Sequence, residues 1–147
     1  MTLKQKKWDS RFMRVAVEFS TWSKDPSTKV GCVIANTDKR IVSQGFNGFP
    51  KGTPDDAKIY ENRPEKYRRV VHAEANAIAL AKVDLAGCTL YTTAFPCSQC
   101  AGLIIQSDIT RVVSVFNPDY EDRWTELVLT TKELFKAAGV KFEYIRD

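Results

Sequence analysis

A chain of 147 residues with 22 Lys plus Arg against 18 Asp plus Glu carries a net charge of only +4, a mild bias that suits a small anionic ligand and does not demand a polynucleotide. Hydrophobic residues at 44% and charged residues at 27% are ordinary for a soluble globular protein, and the length predicts one domain over residues 1–147, able to bury a core without staples. No apolar run approaches the ~20 residues that span a bilayer, and the polar opening MTLKQKKWDSRF lacks the apolar core of a secretory signal, so an intracellular, cytoplasmic setting is expected.

Trp8, Phe12, Val15, Phe19 and Trp22 recur at intervals of four, three, four and three, one apolar stripe of a helix that reads as core. SKDPST breaks that helix at Pro26. KVGCVIAN and IVSQGF, separated by TDKR, are β-rich runs and predict an antiparallel hairpin. NGFPKGTPDD is dense in Gly, Pro and Asp; it is loop, and long for a plain connection. ENRPEKYRRV reads as a solvated loop or helix approach, with a phosphate-attracting patch around Arg63, Lys66, Arg68 and Arg69 as its alternative. His72 to Lys82 is alanine-rich and helical, ending near Gly87. CTLYTT is a strand, Pro96 starts a helix that runs to about Ser107, and RVVSVF is a further strand. RWTELVLTTKELFKAAG is an amphipathic helix stopped by Gly139, and VKFEYI is the last strand. Strand–helix alternation in the second half implies parallel strands with right-handed crossovers. The expected fold is α/β, a three-layer α-β-α arrangement around one five-stranded mixed sheet.

The four cysteines are Cys32, Cys88, Cys97 and Cys100. In a reducing compartment closely spaced cysteines read as metal ligands rather than disulfides. Cys32 and Cys88 each stand alone in a β-like context and read as small buried apolar residues. Cys97 and Cys100 lie at i and i+3, on one face of a helix start, where the partial positive charge favours the thiolate. The one histidine, His72, sits in VVHAEANAIALA. Two thiolates and a neutral imidazole make three zinc ligands and leave a fourth position for water, the pattern of a catalytic rather than a structural site. Both ligand-bearing helices are expected to begin at the same sheet edge, where sites form in open α/β sheets. Glu74 can share the site only if His72 lies in the entry turn of its helix, because positions i and i+2 do not face each other along a regular one. That placement is expected, and Glu74 then moves the proton while an activated water attacks an amidine-like carbon and ammonia leaves. His72-Ala73-Glu74 followed by Pro96-Cys97-Ser98-Gln99-Cys100 is the ordered signature of zinc nucleobase deaminases, in which the glutamate is not a ligand. The alternatives are a structural zinc completed by Cys88 or another residue, and an inactive relative.

SKDPSTKVG, GFNGFPKGTPDD, HAEANAI and PCSQCAGLIIQS resemble, in this order and spacing, the deoxycytidylate deaminase family, roughly from Trp8 to Tyr120. The zinc signature alone also fits tRNA adenosine deaminases, guanine deaminases and polynucleotide cytidine deaminases; GFNG and the Asp-Asp after it are the specific parts. The resemblance implies a cytidine deaminase-like fold, one Zn²⁺ on His72, Cys97 and Cys100, Glu74 as catalytic residue, and hydrolysis of dCMP to dUMP. It implies that Asn47 contacts the nucleotide sugar and that Ser23 and Tyr120 lie near the phosphate. Lys24 is added on its own chemistry, as a cation beside Ser23. Each has a plainer alternative: Asn47 as part of an Asn-Gly turn, Ser23 as a helix end, Lys24 as a solvated charge, Tyr120 as core.

The family is typically a homohexamer, activated by dCTP and inhibited by dTTP, with Mg²⁺ on the triphosphate. Asp55 and Asp56 are the effector-site candidates that follow, or else acids capping a turn or the next helix. With no other histidine in the chain, a second, structural zinc is not expected. The compact length is similar to bacterial, phage and viral members, and some compact viral relatives also accept dCTP; for a viral protein the setting would be the host cytoplasm. Two other classes stand beside this one. A nucleic-acid deaminase needs a basic groove interleaved with aromatics, and no such patch is visible. A silent dNTP sensor would hold zinc without turnover, but a purely structural zinc has no use for Glu74.

Overall fold

Five runs rich in β-branched and aromatic residues assemble into one sheet in the computed structural model, which describes residues 2–146. In chain order the elements are α1 (Leu3–Ser20), β1 (Gly31–Ala35), β2 (Ile41–Phe46), α2 (Ala57–Glu61), α3 (Arg63–Arg69), α4 (Ala73–Ala79), β3 (Thr89–Thr92), α5 (Ser98–Gln106), β4 (Arg111–Val115), α6 (Pro118–Arg123), α7 (Thr125–Ala138) and β5 (Lys141–Ile145). The strand order is β2-β1-β3-β4-β5. β1 runs antiparallel to both β2 and β3, whereas β3, β4 and β5 are parallel. This is the mixed sheet expected from a hairpin followed by strand–helix units.

Alternation along the strands divides the interior into two layers. Val33, Ala35, Tyr91 and Val113 face α1 and meet Phe12, Met13 and Ala16. Cys32, Ile34, Leu90 and Val112 face the other way, onto Ala73 and Ala77 of α4, Ala101 and Ile104 of α5, and Val128 and Phe135 of α7. Three layers result. Phe135 is wholly buried, and truncating such a residue to alanine costs about 3–5 kcal/mol. No helix among the described residues is long and apolar enough to cross a membrane.

Several boundaries differ from the sequence reading. α1 stops at Ser20, ahead of Pro26, because the hydroxyls of Ser20 and Thr21 turn back onto the carbonyls of Val17 (2.5 Å) and Glu18 (2.7 Å). Trp22 therefore leaves the core stripe; it is 54% exposed and packs edge-on against Phe19 and Phe46. α4 ends at Ala79, and the chain descends to β3 through a turn held by Asp84 and by Gly87 at φ 78°. ENRPEKYRRV is not loop but parts of two short helices, the second capped by the Asn62 side chain on the Glu65 amide, with Pro64 in its first turn. The amphipathic C-terminal helix is α7, stopped at Gly139 as expected, and a short helix not foreseen, α6, precedes it, parted from it at Trp124 (φ −120°, ψ 36°).

Candidate active site

Strand register brings the site together. Gly31 pairs with Phe46, Cys32 with Thr92, and Thr92 with Ser114, so the start of β1 and the ends of β2, β3 and β4 lie in one row. The segments leaving that row are residues 21–30, 47–56, 93–97 and 116–120. Most of the candidate residues lie on them, at the carboxyl edge where open sheets place their ligands.

His72 arrives at this edge by two constraints. A bridge between Gly48 and Val71 (N···O 3.1 and 2.8 Å) ties the chain just before α4 to the loop after β2. α4 then lies directly on β2: a Cβ on Gly45 would fall 2.4 Å from the Ala73 carbonyl oxygen and 2.7 Å from the Ala77 amide nitrogen. Ser43 Oγ donates to Ala77 O (2.6 Å) and Asn76 Nδ2 to Phe46 O (2.8 Å), which locks the contact. His72 is the N-cap residue of α4 with extended backbone (φ −69°, ψ 157°), as the shared site with Glu74 required. Cys97 is likewise the N-cap of α5 (φ −71°, ψ 169°), its sulfur accepting from the Cys100 amide at 3.5 Å.

The three ligand atoms converge. His72 Nδ1 lies 3.5 Å from Cys97 Sγ and 3.5 Å from Cys100 Sγ, and all three atoms fall within 4.8 Å of one another. Tetrahedral zinc with Zn–S of about 2.3 Å and Zn–N of about 2.0–2.1 Å sets nitrogen and sulfur ligands about 3.5 Å apart, so the spacing and the donor set both fit that ion. Among the described residues this is the one cluster of three or more His, Cys, Asp or Glu able to hold a metal, and Cys88 is not in it. The neighbouring Cys100 and His72 hold the Cys97 thiol below its ordinary value. Cys100, beside Cys97, is pushed up. The Cys97 sulfur in turn raises His72.

Glu74 is 4% exposed. Burial pushes its carboxyl up, opposed by a hydrogen bond from Thr92 Oγ1 to Oε1 at 2.5 Å and by its own backbone amide. A buried glutamate biased toward its neutral form, beside three side chains that could hold a metal, can take up and return a proton.

The other candidates divide. Ser23 and Asn47 are buried and in contact: Ser23 Oγ donates to the Asn47 carbonyl at 2.8 Å. The Asn47 amide braces the 25–30 segment, its Oδ1 accepting from Val30 N (2.9 Å) and its Nδ2 donating to Thr28 O (2.8 Å). Lys24 and Asp55 are exposed and paired with each other at 2.5 Å. Asp56 stands at the N-cap of α2 but makes no side-chain cap bond. Tyr120, on α6, is half-buried; burial raises its hydroxyl, and the charges of Glu74, Cys97 and Cys100 add to the shift, which places it within electrostatic reach of the centre.

Asp25 and Thr92 escaped the sequence reading, and Lys66 entered it only as part of a charged patch. Asp25 is fully buried; its Oδ1 accepts from the Ser27 and Thr28 amides. Lys66 meets Asp25 Oδ2 at 2.7 Å and is 8% exposed, so it is neither solvated nor open to a phosphate. Arg68 and Arg69 both pair with Glu65, whose single charge offsets one of them. Thr92, the partner of Glu74, looked like an ordinary strand residue. Asp25 had a signal, its place inside SKDPST; Lys66 and Thr92 had none.

Residues 6–116 match the family described as the cytidine and deoxycytidylate deaminase zinc-binding region. An uncharacterized deaminase from the luxG 3′ region of Aliivibrio fischeri is 45% identical over 140 residues, spanning 95% of this chain and 94% of that one. The deoxycytidylate deaminase of Mus musculus is 43% identical over 141 residues, spanning 92% and 78%. In fold, the apo dCMP deaminase of cyanophage S-TIM5 superposes with a TM-score of 0.74 over 99% of this chain and 100% of that one, at 23% identity.

Proposed function

Because the chain belongs to the cytidine and deoxycytidylate deaminase family and is a hydrolytic deaminase, we propose that its reaction is the hydrolysis of dCMP to dUMP and ammonia. The observation that supports it most is the buried Glu74 carboxyl beside His72, Cys97 and Cys100 at zinc-ligand spacing. When bound by these three residues, zinc supplies water acidified to a pKa of about 7 as nucleophile at neutral pH. The reaction forms one C–O bond at C4 of the pyrimidine and breaks the C4–N4 bond. Glu74 receives a proton from the water, passes it to N3, and then carries the second to the departing amino group, which leaves as ammonia.

Asn47, Ser23, Tyr120 and Lys24 are the proposed nucleotide contacts. Asn47 Oδ1 spends one lone pair on Val30 and retains a second for a sugar hydroxyl. Tyr120 feels the charges of Glu74, Cys97 and Cys100, and Lys24 is an exposed cation paired with Asp55. The same reading takes the protein as a cytoplasmic homo-oligomer, a hexamer by the resemblance, with dCTP activating and dTTP inhibiting through Asp55 or Asp56 and Mg²⁺ on the triphosphate. Asp56→Asn with unaltered dCTP and dTTP responses would count against that regulation.

The deciding experiment is ammonia release from dCMP, dCTP and deoxycytidine by the purified protein, beside Glu74→Ala at equal zinc content. Turnover of dCMP that disappears in the zinc-loaded variant supports the reading. Full zinc without turnover of any mononucleotide refutes the substrate and leaves the site.

A further inference from the structure

We propose that Thr92 is a positioning residue for Glu74: its buried hydroxyl donates to Oε1 and fixes the orientation in which the carboxyl faces the site. The proposal rests on the reading of Glu74 as proton carrier. Thr92 ends β3 and is wholly buried, so its hydroxyl has no solvent to turn to. Two acceptors stand within reach of its single O–H proton, Glu74 Oε1 at 2.5 Å and the Ala94 carbonyl at 2.9 Å. The single proton serves one acceptor at a time, and the shorter contact is the one to Glu74.

The support is rigid. Thr92 sits between Cys32 of β1 and Ser114 of β4 in the strand register, on a four-residue strand paired on both sides. A carboxyl anchored through one oxygen to such a strand presents its other oxygen in one orientation, which is what a group shuttling protons between water, N3 and the leaving nitrogen requires. The hydroxyl also meets the Ala94 carbonyl (2.9 Å) and amide (3.5 Å) in the turn after β3, and valine keeps the shape of the side chain without these bonds. A valine would leave Oε1 buried without this partner.

The test compares wild type, Thr92→Val, Thr92→Ser and Glu74→Gln for dCMP kinetics, dUMP affinity by calorimetry, and zinc per chain. For Thr92→Val we expect kcat to fall about 10- to 100-fold with KM, dUMP affinity and zinc content unchanged within about twofold. Thr92→Ser should stay within about threefold of wild type, since it restores the hydroxyl without the methyl. Wild-type kcat in Thr92→Val would overturn the proposal. So would equal impairment of the serine and valine variants, which assigns the loss to packing, or a valine variant that cannot fold or hold zinc, which assigns the hydroxyl to the fold. A wild type inert toward dCMP sinks the dCMP reading on which this rests; an active wild type with inert Glu74→Gln and unimpaired Thr92→Val sinks only the role of Thr92.

Discussion

Lys66 of α3 places its ammonium 2.7 Å from Oδ2 of Asp25, a carboxylate with no solvent exposure at all. Asp25 organises the segment that carries Ser23 and abuts Asn47, so one cation from a distant helix holds the near wall of the site. Removing one partner of a buried pair strands the other. Lys66→Met should lower stability by about 3–5 kcal/mol in urea unfolding and raise KM for dCMP, while zinc content stays complete.

The same pair sets a pH dependence. Burial by itself raises the Asp25 carboxyl, but Lys66 and the Ser27 and Thr28 amides outweigh it and hold the group below its ordinary 3.8. A depressed folded-state pKa contributes stability that is present above the unfolded value and is lost as pH falls through the folded one. Urea midpoints from pH 7 to pH 3 should therefore converge between wild type and Lys66→Met below about pH 4. A gap that stays constant to pH 3 would show that charge is not what Lys66 contributes.

Gly45 sets the height of α4 over β2. A methyl there meets the Ala73 carbonyl at 2.4 Å, and backbone cannot yield as a side-chain tip can. Gly45→Ala should cost about 1–3 kcal/mol and reduce kcat by displacing His72 and Glu74 together. Gly102→Ala, whose new methyl meets nothing within 4 Å, should keep full activity and serves as the control.

Metal content separates the cysteines. Cys97→Ser or Cys100→Ser should lose zinc and ammonia release together, whereas Cys88→Ala, outside the ligand cluster, should bind one zinc per chain. Chelation of the wild-type protein should abolish turnover, and added Zn²⁺ should restore it. Zinc loss in Cys88→Ala would revive a structural site.

Lys24 distinguishes a phosphate contact from a solvated charge. Its pair with Asp55 is exposed, so Lys24→Ala should leave the melting temperature where it is. A contact with the substrate phosphate should appear as a KM for dCMP raised by about tenfold with kcat unchanged, and a smaller effect on deoxycytidine. An unchanged KM would reduce Lys24 to the partner of Asp55.

Where the determinants are local, the chain by itself was decisive. β-Branched runs marked all five strands, the turn residues between KVGCVIAN and IVSQGF marked the hairpin, and Gly139 closed the last helix in the left-handed conformation, at φ 77°. His-x-Glu and Pro-Cys-x-x-Cys announced the centre because a metal and an acid–base group require those side chains whatever surrounds them. Burial of a polar side chain is a different kind of property, created by elements remote in the chain. Lys66 belongs to a charged segment and reads as solvated until α3 folds against Asp25. Thr92 is one β-branched residue among several until α4 settles on β2 and delivers Glu74 to its hydroxyl. The composition of a segment states what its residues can do; only the packing of α3 and α4 decided which of those groups would lose water, and a group that has lost water must find a partner.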